Sequence, residues 1–230
     1  MKPKMLLPML MLCAGCGQGG DSYEIDIRCQ ECSNAQVSLW KYNGNGIEPE
    51  GLAKMEHGHA VFKGNVAEPS LMYVYVDEAA DYLPVFVENA EIDIDYMWQR
   101  PSRSVVTGSQ CHKTFSDFLQ SYSAYSDKGT GIDKMIENAA DNDDTLMMLS
   151  LTENLNVLKR EEVEFQTQYV LQNITSPVSA YILCSNLMYS LNQRQLGELV
   201  ERIGPEAGNS SYLKMAQEYL KTMPVDSAAL

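Results

Sequence analysis

The chain of 230 residues carries 17 Lys and Arg against 31 Asp and Glu, a formal charge of −14. Nucleic acid and anionic lipid surfaces would repel such a chain, so both are excluded as expected partners. Hydrophobic residues make up 45% of it, enough for the packed core of one large domain or two small ones, which excludes a disordered chain.

Lys2 and Lys4, then an apolar run from Met5 to Leu12 interrupted by Pro8, then Cys13-Ala14-Gly15-Cys16, have the layout of a targeting segment. The run is too short to cross a bilayer as a helix. The segment resembles a bacterial lipoprotein signal, in which small residues precede a cysteine that is acylated and becomes the mature N-terminus. Cys16 fits that role, with Ala14 and Gly15 before it. Cys13 follows the bulky Leu12 and fits badly. A cleaved secretory signal that leaves Cys16 free is the alternative.

Residues 1–15 are therefore read as a signal peptide and 16–22 as a tether, Gly17-Gln18-Gly19-Gly20-Asp21-Ser22 being flexible in composition. An acidic protein must draw its membrane attachment from acyl chains such as palmitate rather than from a basic surface. No Asp follows Cys16, as it does in some lipoproteins held in the inner membrane, and no acidic run resembles a surface-export tag. The expected location is the cell envelope, on the periplasm-facing side of the outer membrane.

From Tyr23 to Thr107 the pattern is β. Tyr23, Ile25 and Ile27 alternate with Glu24, Asp26 and Arg28, and Val37 to Tyr42 make a second strand that ends at Asn43-Gly44-Asn45-Gly46. His57-Gly58 reads as a turn before a strand from Ala60 to Val66. Leu71 to Val76 is apolar on both faces, as in a covered central strand. Residues 82–96 read as a β-hairpin at the centre of a sheet, with Ile92, Ile94 and Tyr96 on one face, Glu91, Asp93 and Asp95 on the other, and Glu88-Asn89-Ala90 as its turn. Ser102 to Thr107 completes about eight short strands, spaced as in a sandwich or barrel.

After Gly108 the period becomes helical. Phe115, Phe118, Leu119, Tyr122 and Tyr125 fit one helix face over residues 112–125. A long helix is expected from Asp143 or Asp144, with Met148, Leu151, Leu155, Leu158, Phe165 and Tyr169 as its stripe and residues 159–162 solvated. Ser176-Pro177 opens another helix, Asn192 to Gln195 resembles a capping box for a helix to Ile203, and Ser210 or Ser211 starts the last, to Met223. The expected fold is α+β: an N-terminal antiparallel β-sandwich or partly open barrel over 23–108, a helical region over 109–223, and a tail at 224–230.

Phe62-Lys63-Gly64, Pro69, the strand around Tyr73, Val87-Glu88-Asn89-Ala90 with Ile92 and Ile94, and Val106-Thr107-Gly108-Ser109 resemble the domain of unknown function that precedes thioredoxin-like domains in Bacteroides-type lipoproteins. Ser176-Pro177-Val178-Ser179-Ala180-Tyr181 and Tyr212-Leu213-Lys214 resemble stretches just before the thioredoxin domain. The resemblance covers residues 22–223 and implies an accessory module. The chain stops where the thioredoxin-like domain would begin and has no Trp-Cys-x-x-Cys, so the resemblance carries no redox role onto any residue here.

Cys29-Gln30-Glu31-Cys32 is the sharpest chemical feature. Its thiols could form a bridge in an oxidising periplasm or act as a redox pair. Residues three apart on an extended strand lie roughly 10 Å from each other, so a bridge requires a tight turn. A zinc site would need two further ligands and no second Cys-x-x-Cys exists, so no metal is expected. With Cys16 acylated, Cys111 and Cys184 remain, either as buried thiols or as a clamp between two helices.

His57 and His59 are better explained by a turn than by a metal. Asp141 to Asp144 fails the calcium-loop pattern, with Leu146 and Thr152 at the Gly and Glu positions, and reads as a helix cap. No hydrolase, metalloprotease, phosphate-loop or kinase pattern is present.

The expected function is a lipid-anchored, non-enzymatic binding or accessory module needing no cofactor, with an envelope protein or a thioredoxin-like protein as its partner. Thiol-disulfide exchange through Cys29 and Cys32 is the alternative. Glycan binding by exposed aromatics, Trp40 and Trp98 among them, is a further one.

Overall fold

The computed structural model describes residues 20–42, 46–203 and 210–224. The expected signal peptide, Cys16, most of the expected tether, residues 43–45 and 204–209, and the expected tail beyond 224 lie outside the described residues.

Among the described residues, eight strands form two four-stranded sheets and five α-helices follow. The strands are β1 (Tyr23–Arg28), β2 (Gln36–Tyr42), β3 (Ile47–Lys54), β4 (His59–Gly64), β5 (Ser70–Val76), β6 (Leu83–Val87), β7 (Glu91–Asp95) and β8 (Val105–Thr107). One sheet has the order β4-β1-β7-β8 and the other β3-β2-β5-β6. Period-two alternation drives this pairing: Ile25, Ile27, Ile92 and Ile94 from the first sheet meet Val37, Leu39, Met72, Val74 and Val85 from the second in a closed core. The acidic side chains of β1 and β7 face away from that core, as their alternation predicts.

The expected hairpin at residues 82–96 is not formed. β6 is an edge strand of the second sheet and β7 a central strand of the first, so residues 88–90 carry the chain between sheets instead of turning it back. Asn89 fixes this crossing with its side chain: its Nδ2 donates to the Val66 carbonyl and its Oδ1 accepts from the Val66 N–H, both at 2.9 Å. β7 then pairs parallel to β1, Ile25 opposite Ile92, so one ladder within the expected antiparallel sandwich is parallel.

β3 has no counterpart among the strands read from the sequence. Pro49 and Gly51 disguise it, yet an edge strand tolerates Pro, and the register shift against Leu39 and Trp40 falls beside Gly51. A Cβ on Gly51 would lie 3.0 Å from the Phe62 ring, so glycine lets the two sheets close there.

The helices are α1 (Gln110–Asp141), α2 (Thr145–Gln172), α3 (Pro177–Ile182), α4 (Gln193–Arg202) and α5 (Ser211–Thr222). The expected caps form: Asp144, Ser176, Asn192 and Ser210 each accept from a backbone N–H of the first turn, and Gln195 completes the capping box. α3 runs directly into a π-helical turn, Leu183–Leu187. α1 continues well past the expected residue 125, through Gly129 and Gly131, because α2 packs along it; the nearest atom to a Cβ on Gly129 would be Leu158 Cδ2 at 3.9 Å.

The helices bury one end of the outer face of the second sheet. Leu71 and Phe86 share a core with Phe115, Phe118, Val178, Ile182, Tyr212 and Leu213. The Leu71 N–H donates to the Tyr212 hydroxyl across this seam.

Candidate functional site

Three loops meet at one end of the sandwich. The first follows β1, where Cys29 and Cys32 are joined in a disulfide with their Cα atoms 5.4 Å apart. The tight turn that such a bridge requires is present, with the Cys32 N–H reaching the Cys29 carbonyl at 3.4 Å. The second loop is His57-Gly58, both residues at positive φ (52° and 82°). Gly58 is required there, since a Cβ would also crowd the Cys29 carbonyl at 3.2 Å. The third loop follows β7, where Tyr96 donates its N–H to the Arg28 carbonyl, the Met97 N–H is held by Ser104 Oγ, and Trp98 Nε1 donates to the Asp77 carbonyl.

Between them lies a cleft of about 830 Å³. Its wall carries Arg28, Gln30, Glu31, His57, His59, Trp98, Gln99 and Arg100. Arg28 is occupied by Asp93 (3.0 Å) and Asp95 (2.8 Å), and His59 Nδ1 lies 3.4 Å from Asp26. Among the described residues Arg100 forms no ion pair, which leaves its guanidinium available to a ligand. Within an acidic protein this end therefore offers a cation, two imidazoles, two amides and an indole together. Cys29 contributes to the lining of the cleft, yet both half-cystines are almost fully buried, Cys29 being 2% and Cys32 3% exposed.

The other expected site residues are dispersed. Cys111 and Cys184 are separate buried thiols, so the clamp between helices is not formed. Burial raises both thiol pKa values, and at Cys111 the neighbouring Glu88 carboxylate adds to the rise, so neither is a ready nucleophile. Asp143, at φ 54°, and the cap Asp144 form the α1–α2 turn. Among the described residues no group of three or more His, Cys, Asp or Glu is placed to hold a metal ion. Trp40 and Trp98 occupy different surfaces, Trp98 the cleft and Trp40 the outer face of the second sheet.

A second polar cluster joins sheet to helix. Glu88 accepts from Ser109 Oγ (2.9 Å), the Cys111 N–H (3.0 Å) and Cys111 Sγ (3.3 Å), while Ser109 Oγ accepts from the His112 N–H. His112 Nδ1 accepts from the Phe86 N–H, which leaves its proton on Nε2, and burial lowers its pKa to about 4. These contacts cap α1 and fasten it to β6. The Ser, Cys, His and Glu here satisfy one another and the backbone.

Arg28, Gln30, Gln99 and Arg100 were not distinguishable in the sequence as site residues. They come from the end of β1 and from loops that only the parallel β1–β7 ladder brings together, and nothing local in either strand announces that pairing.

Residues 23–115 match the family model described as Domain of unknown function (DUF4369), so the chain carries a DUF4369 domain comprising the sandwich and the first residues of α1. No curated protein matches the chain.

Proposed function

We propose that this DUF4369-bearing chain is a lipid-anchored module of the cell envelope that binds a ligand or partner in the cleft at residues 28–33, 57–59 and 95–100 and carries out no chemistry of its own. The observation that carries this reading is the near-complete burial of both half-cystines at a cleft lined by charged, amide and aromatic side chains: the bridge shapes a binding surface and is poorly placed for attack by an outside thiol. Acylation of Cys16, attachment on the periplasm-facing side of the outer membrane, and an envelope or thioredoxin-like protein as partner belong to the same proposal. They are supported by the N-terminal pattern and the family resemblance.

Trp98 is a reporter for the cleft in a Trp40→Phe variant, because the chain has only 2 Trp. Titration with size-fractionated periplasmic extract is expected to give a saturable change in Trp98 emission that Arg100→Glu removes. Turnover of any component, or no saturable change with any fraction, contradicts the reading. For the anchor, the wild type is expected to sediment with membranes and to incorporate labelled palmitate, and Cys16→Ala to do neither.

A further inference from the structure

The cleft is walled by tight turns, and each turn puts particular side chains forward. The Cys29–Cys32 bridge and the bond from the Cys32 N–H to the Cys29 carbonyl close one turn around Gln30 and Glu31, both exposed. On the loop after β7 the Arg100 N–H reaches the Met97 carbonyl at 3.0 Å and the Arg103 N–H reaches the Arg100 carbonyl at 2.8 Å. Pro101 is buried beside them, so the backbone that carries Gln99 and Arg100 is held while both side chains are exposed.

These two walls carry the same pattern with opposite sign. Gln30 and Glu31 set an amide beside a carboxylate, and Gln99 and Arg100 set an amide beside a guanidinium. Among the described residues none of the four side chains has a hydrogen bond or ion pair. The neighbouring charges are engaged, Arg28 by Asp93 and Asp95 and His59 by Asp26. Trp98, next to Gln99, packs against the sandwich core and spends its N–H on the Asp77 carbonyl at 3.1 Å, so it offers the cleft ring surface without a donor.

Each feature narrows the occupant. A primary amide carries both donor and acceptor, the complement of a backbone peptide unit, and one stands on either wall. Ring surface whose N–H is already used favours a proline or an aliphatic side chain. A carboxylate and a guanidinium on different turns are answered together by a ligand that carries a cation and an anion set apart from each other. A nucleic acid or an anionic glycan would bring like charge to Glu31, and a neutral sugar would leave both charges unanswered. A free amino acid holds its two charges on one carbon, whereas these stand on turns that leave separate strands, β1 and β7. The cleft of about 830 Å³ has room for a few residues of chain.

We infer that the cleft takes an extended peptide segment of a partner protein bearing one acidic and one basic side chain, the acid on Arg100 and the base on Glu31, with Gln30 and Gln99 on its backbone and Trp98 against an apolar residue. The inference rests on the reading of the cleft as a binding site and names its ligand. It also gives the disulfide a task, which is to hold Gln30 and Glu31 at the head of their turn.

The test probes an array of acetylated, amidated hexapeptides, each position being Ala, Pro, Gln, Glu or Lys, with the full chain. The best binders are then titrated against Trp98 emission in the Trp40→Phe variant, the chain having only 2 Trp. The binders are expected to carry a Glu and a Lys in a fixed order and spacing, and replacing either by Gln weakens binding about tenfold. Arg100→Glu is expected to cost a similar factor and to recover on the peptide whose Glu is changed to Lys. Glu31→Lys behaves in the same way with the peptide whose Lys is changed to Glu. Both positions are exposed, and thermal melts establish that the variants fold. Binders that need one sign of charge only, or neither, overturn the inference, as does the absence of recovery in both charge exchanges. No peptide response, with an Arg100-dependent response to periplasmic extract retained, overturns the peptide and leaves the cleft as a site for another ligand. No response to either removes the cleft reading and the inference together.

Discussion

His112 and Glu88 show how single residues hold the sheet and the helices together. His112 accepts from Phe86 with Nδ1, and burial lowers its pKa to about 4, below the unfolded value of 6.5. Between those values the unfolded chain takes up a proton that the folded chain refuses, so this contribution is complete above pH 6.5 and is lost as pH falls toward 4. The shift corresponds to a contribution on the order of 3 kcal/mol. In His112→Asn the side-chain oxygen still meets the Phe86 N–H, but nothing titrates. Denaturant melts from pH 7 to pH 4 are expected to lose less stability in the variant than in the wild type, and parallel curves would contradict the assignment. Glu88 receives two side-chain donors and one backbone donor at the start of α1. Glu88→Ala is expected to destabilise the chain by about 2 to 3 kcal/mol, measured by the same melts. The sequence marked Glu88 and Asn89 as the turn of a hairpin that the fold does not form. What it could not show is the scaffold they serve: Asn89 ties the inter-sheet crossing to Val66, and Glu88 ties the sheet to a helix that begins more than twenty residues later.

Among the elements, the α1–α2 pair has two different halves. α1 is 32 residues long, about 48 Å at 1.5 Å per residue, yet its first turns alone contact the core shared with the sheet, through Cys111, Phe115, Phe118 and Tyr122. Toward the tip only Ala139, Leu151 and Leu158 are buried, while Met135, Leu146, Leu149 and Val157 are exposed. Amide hydrogen exchange is expected to be fastest over residues 126–160 and slowest over 111–122 and 163–182. Uniform protection along both helices would contradict this division. The caps of α2, α3, α4 and α5 were legible because each is a local pattern of a side-chain oxygen and a nearby N–H. The length of α1 was not, because Gly129 and Gly131 argue against helix and only the neighbouring α2 overrides them. β3 was hidden for a similar reason: Pro49 and Gly51 are unfavourable in a strand generally, but acceptable on an edge and beside a register shift.

For the molecule as a whole, period-two alternation was sufficient to announce eight strands or so followed by helices, and the two-sheet sandwich bears this out. Which strands share a sheet was not visible. Residues 82–87 and 91–96 carry the alternation of a hairpin, and nothing in them reveals that the chain crosses from one sheet to the other at Asn89. That one crossing places β7 beside β1, and with it the Trp98 loop beside the disulfide loop, so the cleft depends on a long-range ladder rather than on any motif. Cys29 and Cys32 were legible as a pair, with bridge and redox roles both open. Their burial supports a bridge that stabilises the loop, by about 2 kcal/mol for so short a ring.

The most direct test of this account is equilibration of the protein in thiol-disulfide buffers of graded potential, with the Cys29–Cys32 pair followed by mass spectrometry after alkylation. A pair that serves the shape of the cleft is predicted to stay oxidised below about −300 mV. Half-reduction near −200 mV, accompanied by catalysed exchange with a glutathione-linked substrate, would contradict it and make the pair a redox centre.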